Sequence, residues 1–315
     1  MPAFFKAQIL LPTAETAFEP QHNFNPALIK QKGIKKITCE IIDKKDFEVA
    51  VDKSLTETYE FNNNGFLTRH FYTTVVKSFE KHVTKYGRKG HTFQDVTREY
   101  EYDTIGTTFI YSGNSLILKR FHDGGNYYES RYYRYNNDGL LTKEMRFKET
   151  NNSIDKAYFV LGNQVLLSED SFQYQKYGNK QLKCIYLNNE NRPYKEQVIN
   201  FDSAGLKKTI DENYVAAAWI MQKQRFEYRK GKLISASYQG NANGNFNLHN
   251  TYQYDESGEL YAEFQYKNEV LQKEVSFITE KNSGLLNSYI IRDPEAKSLR
   301  IVKLKYDYGA LGKTE

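Results

Sequence analysis

From Ile34 onward, apolar and polar residues alternate with a period of two. In "LTETYEF", Leu55, Glu57, Tyr59 and Phe61 share one parity, and Thr56, Thr58 and Glu60 hold the other. In "REYEYD", Tyr100 and Tyr102 oppose Glu99, Glu101 and Asp103. In "RFEYR", Phe226 and Tyr228 oppose Arg225, Glu227 and Arg229; in "EFQY", Phe264 and Tyr266 oppose Glu263 and Gln265. Alternation of this kind predicts antiparallel strands with one buried and one wet face. Two stretches read less simply. "TTVVKSFEKHVTKYGRKGH" sets Val75, Phe79, Val83 and Tyr86 at helical spacing, but its β-branched residues favour a strand followed by a turn at Tyr86–His91. "ENYVAAAWIMQKQ" contains helix formers but runs straight into "RFEYR" and is read as a strand entry.

Turns of one design separate the strands. "YEFNNNGFL", "YEYDTIGTT", "YRYNNDGLL", "INFDSAGLK", "FEYRKGKL" and "YQYDESGEL" place Gly65, Gly106, Gly139, Gly205, Gly231 and Gly258 at turn positions, and "LKYDYGAL" repeats the cadence near the C-terminus with Gly309. Asp or Asn at the entry bonds its side chain to the backbone ahead, and glycine supplies the positive φ that closes the hairpin. Gly139 and Gly205 lie too far apart for one hairpin, so a disguised turn is expected near Gly162 or in "LNNENRPY". The expectation is an all-β protein of consecutive antiparallel β-hairpins, a meander forming one elongated or curled repeat sheet. Residues 1–33 stand apart: Pro12, Pro20 and Pro26 are half of the six prolines, which predicts an extended N-terminal arm or loop ahead of a hairpin domain over 34–315.

Composition sharpens this picture. Aromatic residues are 15% of the chain, with 26 Tyr, 20 Phe and the single Trp219, which suits pleated faces that are partly wet. Lys plus Arg number 44 against 39 Asp plus Glu, and the signs are interspersed apart from short clusters such as Lys35–Lys36 and Lys85, Arg88 and Lys89. A mixed-charge solvated surface is expected, not a nucleic-acid footprint. Cys39 and Cys184 lie far apart in β-like segments: they would pair in an oxidising compartment or, as the reading prefers, remain two free buried thiols. The longest apolar run, "YVAAAWIM", is far short of the roughly 20 residues of a membrane-spanning helix, so no transmembrane segment is expected. "MPAFFKAQ" has two readings. Residues 1–7 resemble the end of a secretory signal that lacks its basic start, which places the protein in the periplasm or at the cell surface; if Met1 is the true start, the protein is cytoplasmic.

There is no nucleophile elbow, P-loop or dinucleotide fingerprint, and the six histidines show no metal-ligand spacing; His82 and His91 alone meet across a turn. Glu99, Glu101 and Asp103 share a strand face at about 7 Å spacing, a glycosidase-like separation that is also the ordinary polar face of a strand. No enzyme activity, metal or cofactor is expected. The better lead is "GGNYYESRYYRY", where Tyr127, Tyr128, Tyr132, Tyr133 and Tyr135, with Arg131 and Arg134, form a candidate binding patch for protein or sugar. Both parities carry tyrosine, so either one face is exposed or neighbouring hairpins cover both.

The cadence Tyr-Asp-x-x-Gly-x-Leu, best in Tyr254, Asp255, Gly258 and Leu260, resembles the tyrosine-aspartate (YD) repeats of Rhs-type and wall-associated bacterial proteins. Phe201, Asp202 and Gly205, and Tyr135, Asn136, Gly139 and Leu141, follow it with one change each. The arginine common after that family's glycine is absent. The resemblance implies hairpin repeats and an extracytoplasmic setting. The function expected is a non-enzymatic interaction subunit with a protein partner, such as an accessory or plug-like periplasmic component of an outer-membrane (type nine) secretion translocon. The alternative is a carbohydrate-binding surface protein; nucleic-acid partners are not expected.

Overall fold

In the first YD-like turn, Asn62 Oδ1 accepts from the backbone N–H groups of Asn64 and Phe66, both at 3.0 Å, and Gly65 N–H donates to the Asn62 carbonyl. Asn136, Asn188, Asp202 and Asp255 repeat the scheme. Gly65, Gly139, Gly205 and Gly258 take φ between 75° and 83°, while Asn191 at 58° replaces glycine in the disguised turn within "LNNENRPY". A second hidden turn closes at Gly178, whereas Gly162 lies inside a strand. Two other expected turns are absent. Gly106 sits mid-strand, because a Cβ there would come 2.8 Å from His122 Nε2 and 3.3 Å from Phe71 Cβ: crowding, not turning, requires glycine. Tyr306 and Asp307 likewise lie inside the last strand.

The computed structural model describes residues 8–19, 24–86, 92–154, 158–241, 244–280 and 283–309. The strands run β1 (Ile34–Lys45), β2 (Val51–Phe61), β3 (Leu67–Tyr86), β4 (Thr92–Ser112), β5 (Ser115–His122), β6 (Tyr127–Tyr135), β7 (Leu141–Asn151), β8 (Leu161–Tyr177) and β9 (Gln181–Leu187). The second half comprises β10 (Pro193–Phe201), β11 (Lys207–Tyr214), β12 (Met221–Arg229), β13 (Lys232–Gly240), β14 (Phe246–Tyr254), β15 (Leu260–Lys267), β16 (Val270–Thr279), β17 (Leu286–Asp293) and β18 (Ser298–Tyr308). "TTVVKSFEKHVTKY" is strand, as expected, and its turn at Tyr86–His91 lies largely outside the described residues. "ENYVAAAWIM" is not a strand entry: β11 stops at Tyr214, and two turn bonds, from Ala217 N–H to the Tyr214 carbonyl and from Ile220 N–H to the Ala217 carbonyl, carry the chain to Met221.

Each strand pairs antiparallel with the next, and β18 returns to β1 in register from Ile34↔Tyr308 to Lys45↔Ser298. The expected open sheet is therefore an 18-stranded closed barrel. Closure satisfies the two edges that an open meander leaves bare. Asp43 and Arg300 clasp the seam through two hydrogen bonds, at 2.8 and 3.2 Å, and Lys305 reaches Glu40 across it.

A bulge follows the turn in several hairpins, where the register slips by one residue (Phe61↔Leu67 then Glu60↔Arg69; Tyr254↔Leu260 then Gln253↔Ala262). The first residue after the turn faces inward, and the next inward residues follow at three and five positions: Leu67, His70 and Tyr72; Leu141, Glu144 and Arg146; Leu260, Glu263 and Gln265. This corrects the reading of "EFQY". The bulge sends Glu263 and Gln265 into the lumen and Phe264 and Tyr266 outward, because one extra residue inverts a period-two pattern.

The repeat tyrosine has a matching task. Tyr135, Tyr254 and Tyr306 donate their hydroxyls to the carbonyls of Leu116, Leu233 and Leu286, each at the start of the preceding strand beside such a bulge.

The arm occupies the lumen. Ile9, Leu10, Ala14, Ala17, Leu28 and Ile29 are buried in one core with inward residues of the wall. Its contacts come from opposite sides of the ring: Asn250 and Tyr252 of β14 donate to the Ala17 carbonyl, Lys207 of β11 pairs with Glu15, Lys119 of β5 pairs with Glu19, and Phe24 packs edge-on to Tyr59 and Phe61 of β2. Only a segment inside the ring reaches all of these. The arm is also not wholly extended: α1 (Pro26–Lys32) is capped by Asn25, whose Oδ1 accepts from Ala27 and Leu28, and by Gly33. A wall of 18 strands would otherwise leave an aqueous channel.

Candidate functional site

The arm does not fill the lumen. A cavity of about 950 Å³ remains between it and the inner faces of β1–β6 and β14–β18. Its polar centre is Glu57. Tyr59 OH donates to Glu57 Oε1 at 2.6 Å, His70 Nε2 lies 2.7 Å from the same oxygen, and Tyr289 OH reaches Glu57 Oε2 at 3.3 Å. Tyr59 stacks on His70 with ring centroids 4.6 Å apart, so the imidazole is held both in plane and edge-on. Burial, then the Glu57 charge, pushes both phenols well above their ordinary range; the same two causes, in that order, raise the neighbouring Cys39 thiol.

Two further carboxylates line the cavity. Burial alone would raise the Asp43 carboxyl, but Arg300 and Lys53 together hold it below the usual range. Glu263 goes the other way: burial pushes it up against the weaker opposition of the Gln265 hydrogen bond at 2.8 Å and the Lys273 charge. On the far wall, Arg146 holds Glu129 through bonds of 2.9 and 2.8 Å and, with Arg131, lowers its pKa. The lining therefore offers aromatic faces and charges already matched to partners.

The aromatic cluster of β6 is divided by the pleat. Tyr127, Arg131, Tyr133 and Tyr135 share the inner parity, whereas Tyr128, Tyr132 and Arg134 share the outer. Tyr127 is exposed and lies under Lys148, with Nζ 3.7 Å from its ring centre; Arg131 and Arg134 are exposed, and Tyr133 and Tyr135 are half-buried. Tyr128 is buried beneath Phe159. Tyr132 OH donates to Glu149 Oε1 at 2.7 Å within a buried outer-face network in which Arg120 Nε bonds Glu149 Oε2 at 2.9 Å, Ser130 donates to the same oxygen, and Gln164 joins at 2.8 Å. Burial raises the Glu149 carboxyl, but these donors outweigh it and the pKa is lowered. Phe159 covers the Arg120 guanidinium at 3.6 Å.

Of the strand carboxylates, Glu99 and Glu101 face Lys81 and Lys77 across the hairpin, at 3.5 and 2.9 Å, and Asp103 binds the backbone N–H of Thr104. His91 lies outside the described residues, as do residues 1–7. Among the described residues no three metal-ligating side chains converge. Cys39 and Cys184 are free and buried on separate strands. The cavity residues went unread in the sequence. Glu57 at the same parity as Tyr59 and Phe61 was the available signal; Glu263 had none, because the bulge hid its direction.

No family model matches the chain, and no curated protein matches it. Among solved structures, a porin-like protein from Bacteroides uniformis is 14% identical, with a TM-score of 0.38 over 88% of this chain and 97% of that one. A porin-like protein from Bacteroides vulgatus is 10% identical, with a TM-score of 0.28 over 87% and 98%. The TcdB2-TccC3-TEV structure is 9% identical, with a TM-score of 0.20, over 80% of this chain and 21% of that one. At these scores nothing about the role of this chain follows from the likeness.

Proposed function

We propose that this protein is a non-enzymatic protein–protein interaction subunit of a bacterial cell-envelope assembly. The observation that carries the reading is the β3–β4 hairpin. β2 pairs with β3 only as far as Tyr72, and β5 pairs with β4 only from Gly106, yet β3 and β4 continue to the pair Tyr86↔Thr92. The free portion is a finger of roughly 40 Å at about 3.4 Å per residue. Cross-strand pairs Lys77–Glu101, Glu80–Arg98 and Lys81–Glu99 keep it soluble, and it presents Val76 and Phe79, each at least 48% exposed, while Tyr102 at its base donates to the Lys53 carbonyl of β2. The outer wall suits water: Glu60–Arg69, Lys143–Glu169, Lys183–Glu196 and Lys305–Glu40 pair along it, where a lipid-facing band would be apolar. No helix among the described residues is long and apolar enough to cross a membrane, which says nothing of strands.

In its specific form the proposal is an exported, plug-like periplasmic component of an outer-membrane secretion translocon of the type nine class. It catalyses no reaction and docks through the finger. The test is purification of the chromosomally tagged protein beside a variant whose residues 77–100 are replaced by an Asn-Gly turn. Stoichiometric recovery of an outer-membrane barrel protein that the variant loses supports the proposal. Purification as a lone monomer from both membrane and soluble fractions overturns it. The cavity favours a second reading, carbohydrate binding, since Tyr72, Phe121 and Tyr289 offer rings beside paired charges. Micromolar binding on a glycan array that Glu57→Gln abolishes would reverse the ranking.

A further inference from the structure

Two stretches outside the strands meet at one rim of the barrel. The β11–β12 connection carries Trp219, the single tryptophan of the chain, and "NANGNF" follows Gly240 at the end of β13. Asn241 joins them: its Oδ1 accepts from the Met221 N–H at 2.9 Å, and its Nδ2 donates to the Trp219 carbonyl at 2.6 Å. Beside this junction lies a second cleft, of about 510 Å³, a size common among small-molecule sites.

The cleft opens on the outside of the ring. Tyr238 meets Phe18 of the arm with ring centroids 5.7 Å apart, so its parity is inward and the next residue, Gln239, faces out. Lys223 and Asn247 stand in register with Gln239, Asp211 stands opposite Lys223, and Asn213 stands opposite Met221. Seven of the described lining residues are carboxamides, and among them Asn213, Gln239 and Asn245 are exposed. Asn247 Oδ1 is buried with no donor, so that oxygen turns toward a guest without giving up a bond. At the lip, the Trp219 side of the junction is 71% exposed.

Chemistry selects the guest. A carboxamide sets a donor and an acceptor side by side, and each hydroxyl of a sugar also does both. The charges that line the cleft, Asp211 and Lys223, pair with each other at 2.9 Å, so an ion would enter with no counter-charge. An apolar guest would strip water from the amides and return no hydrogen bond. Each of β11–β14 is paired on both sides, so no open ladder awaits a peptide backbone and recognition falls to side chains. An exposed indole adds a flat amphipathic surface that the C–H face of a sugar ring covers.

We propose that this outer cleft binds an uncharged mono- or disaccharide, with Asn213, Gln239, Asn245 and Asn247 bonding its hydroxyls and Trp219 covering a ring face. The site is separate from the lumen cavity and from the finger, and it stands whether or not the protein docks through the finger.

Fluorescence excited beyond the tyrosine band reports Trp219 alone. The full chain is titrated with the methyl glycosides of glucose, galactose, mannose and N-acetylglucosamine, and amide exchange is followed by mass spectrometry. A saturable change with at least one of them is expected, with a dissociation constant on the order of 1 mM or tighter, and with slowed exchange in residues 211–223 and 238–241. The corresponding uronic acid glycoside should bind about tenfold more weakly or worse, because its carboxylate finds no free cation. Asn213→Leu/Gln239→Leu should weaken binding about tenfold or more at an unchanged melting temperature, since both side chains are exposed and their loss leaves guest hydroxyls unpaired. Four results overturn the proposal: no saturable change with any of the four glycosides at about 100 mM, equal affinity for the uronic acid form, binding unchanged in the double variant, or slowed exchange confined to strands other than β11–β14.

Discussion

Tyrosine and glutamate show how single residues divide the work of this wall. The hydroxyls of Tyr135, Tyr254 and Tyr306 fill the acceptor beside a bulge, a role phenylalanine cannot take, and Phe61 and Phe201 stand at the repeat positions where that bond is missing. Glu263 is held in the lumen with its pKa raised by burial. A carboxyl whose folded pKa exceeds its unfolded value binds more protons when folded, so its contribution is favourable below that window and is lost as pH rises through it. Glu263→Gln should therefore raise the melting temperature at pH 8, and the gain should vanish below the ordinary glutamate range. A stability–pH curve parallel to wild type would contradict the assignment. The outer-face pair behaves differently. Glu149 is fully buried, so Arg120→Met strands a charge and should cost about 3–5 kcal/mol in denaturant unfolding, while Arg120→Met/Glu149→Met should recover most of the loss.

Hairpins are the elements most readable in the chain. Five of the six glycines assigned to turns adopt positive φ; in four of them the Asn or Asp three residues earlier already commits the backbone, and Gly231 closes a shorter turn without one. The failures share a cause that lies outside the local sequence. Gly106 is glycine because His122 and Phe71 press on it, and "EFQY" faces the wrong way because a bulge inserts one residue before it. The turn glycines also differ among themselves. A Cβ on Gly65 would come 2.0 Å from the carbonyl oxygen of Pro26 at the start of α1, whereas Gly139 has nothing within 4 Å. Gly139→Ala should cost only the positive-φ strain, about 1 kcal/mol. Gly65→Ala should cost about 2–4 kcal/mol because α1 must also shift. Equal losses for the two variants would show that the arm does not press on this turn.

The seam governs the whole molecule, since the ring is one pairing away from an open sheet. Burial would raise Asp43, but Arg300 and then Lys53 bring it below its unfolded value; its stabilisation is present above the unfolded pKa and is lost as pH falls through the folded one. Arg300→Met should lower the melting temperature at neutral pH and flatten the acid-side loss of stability, with all signals moving together if closure and folding are one transition. A variant with unchanged acid dependence would remove the clasp from the account. The strands and most of their turns were determined by the sequence alone, because period-two alternation and the Asx–glycine turn act within a few residues. Closure, the arm's place in the lumen and the inward turn of Glu263 were decided only by tertiary structure. Each depends on which strand lies beside which, and that follows from bulges, twist and pairing between residues as far apart as Asp43 and Arg300, which no local pattern records.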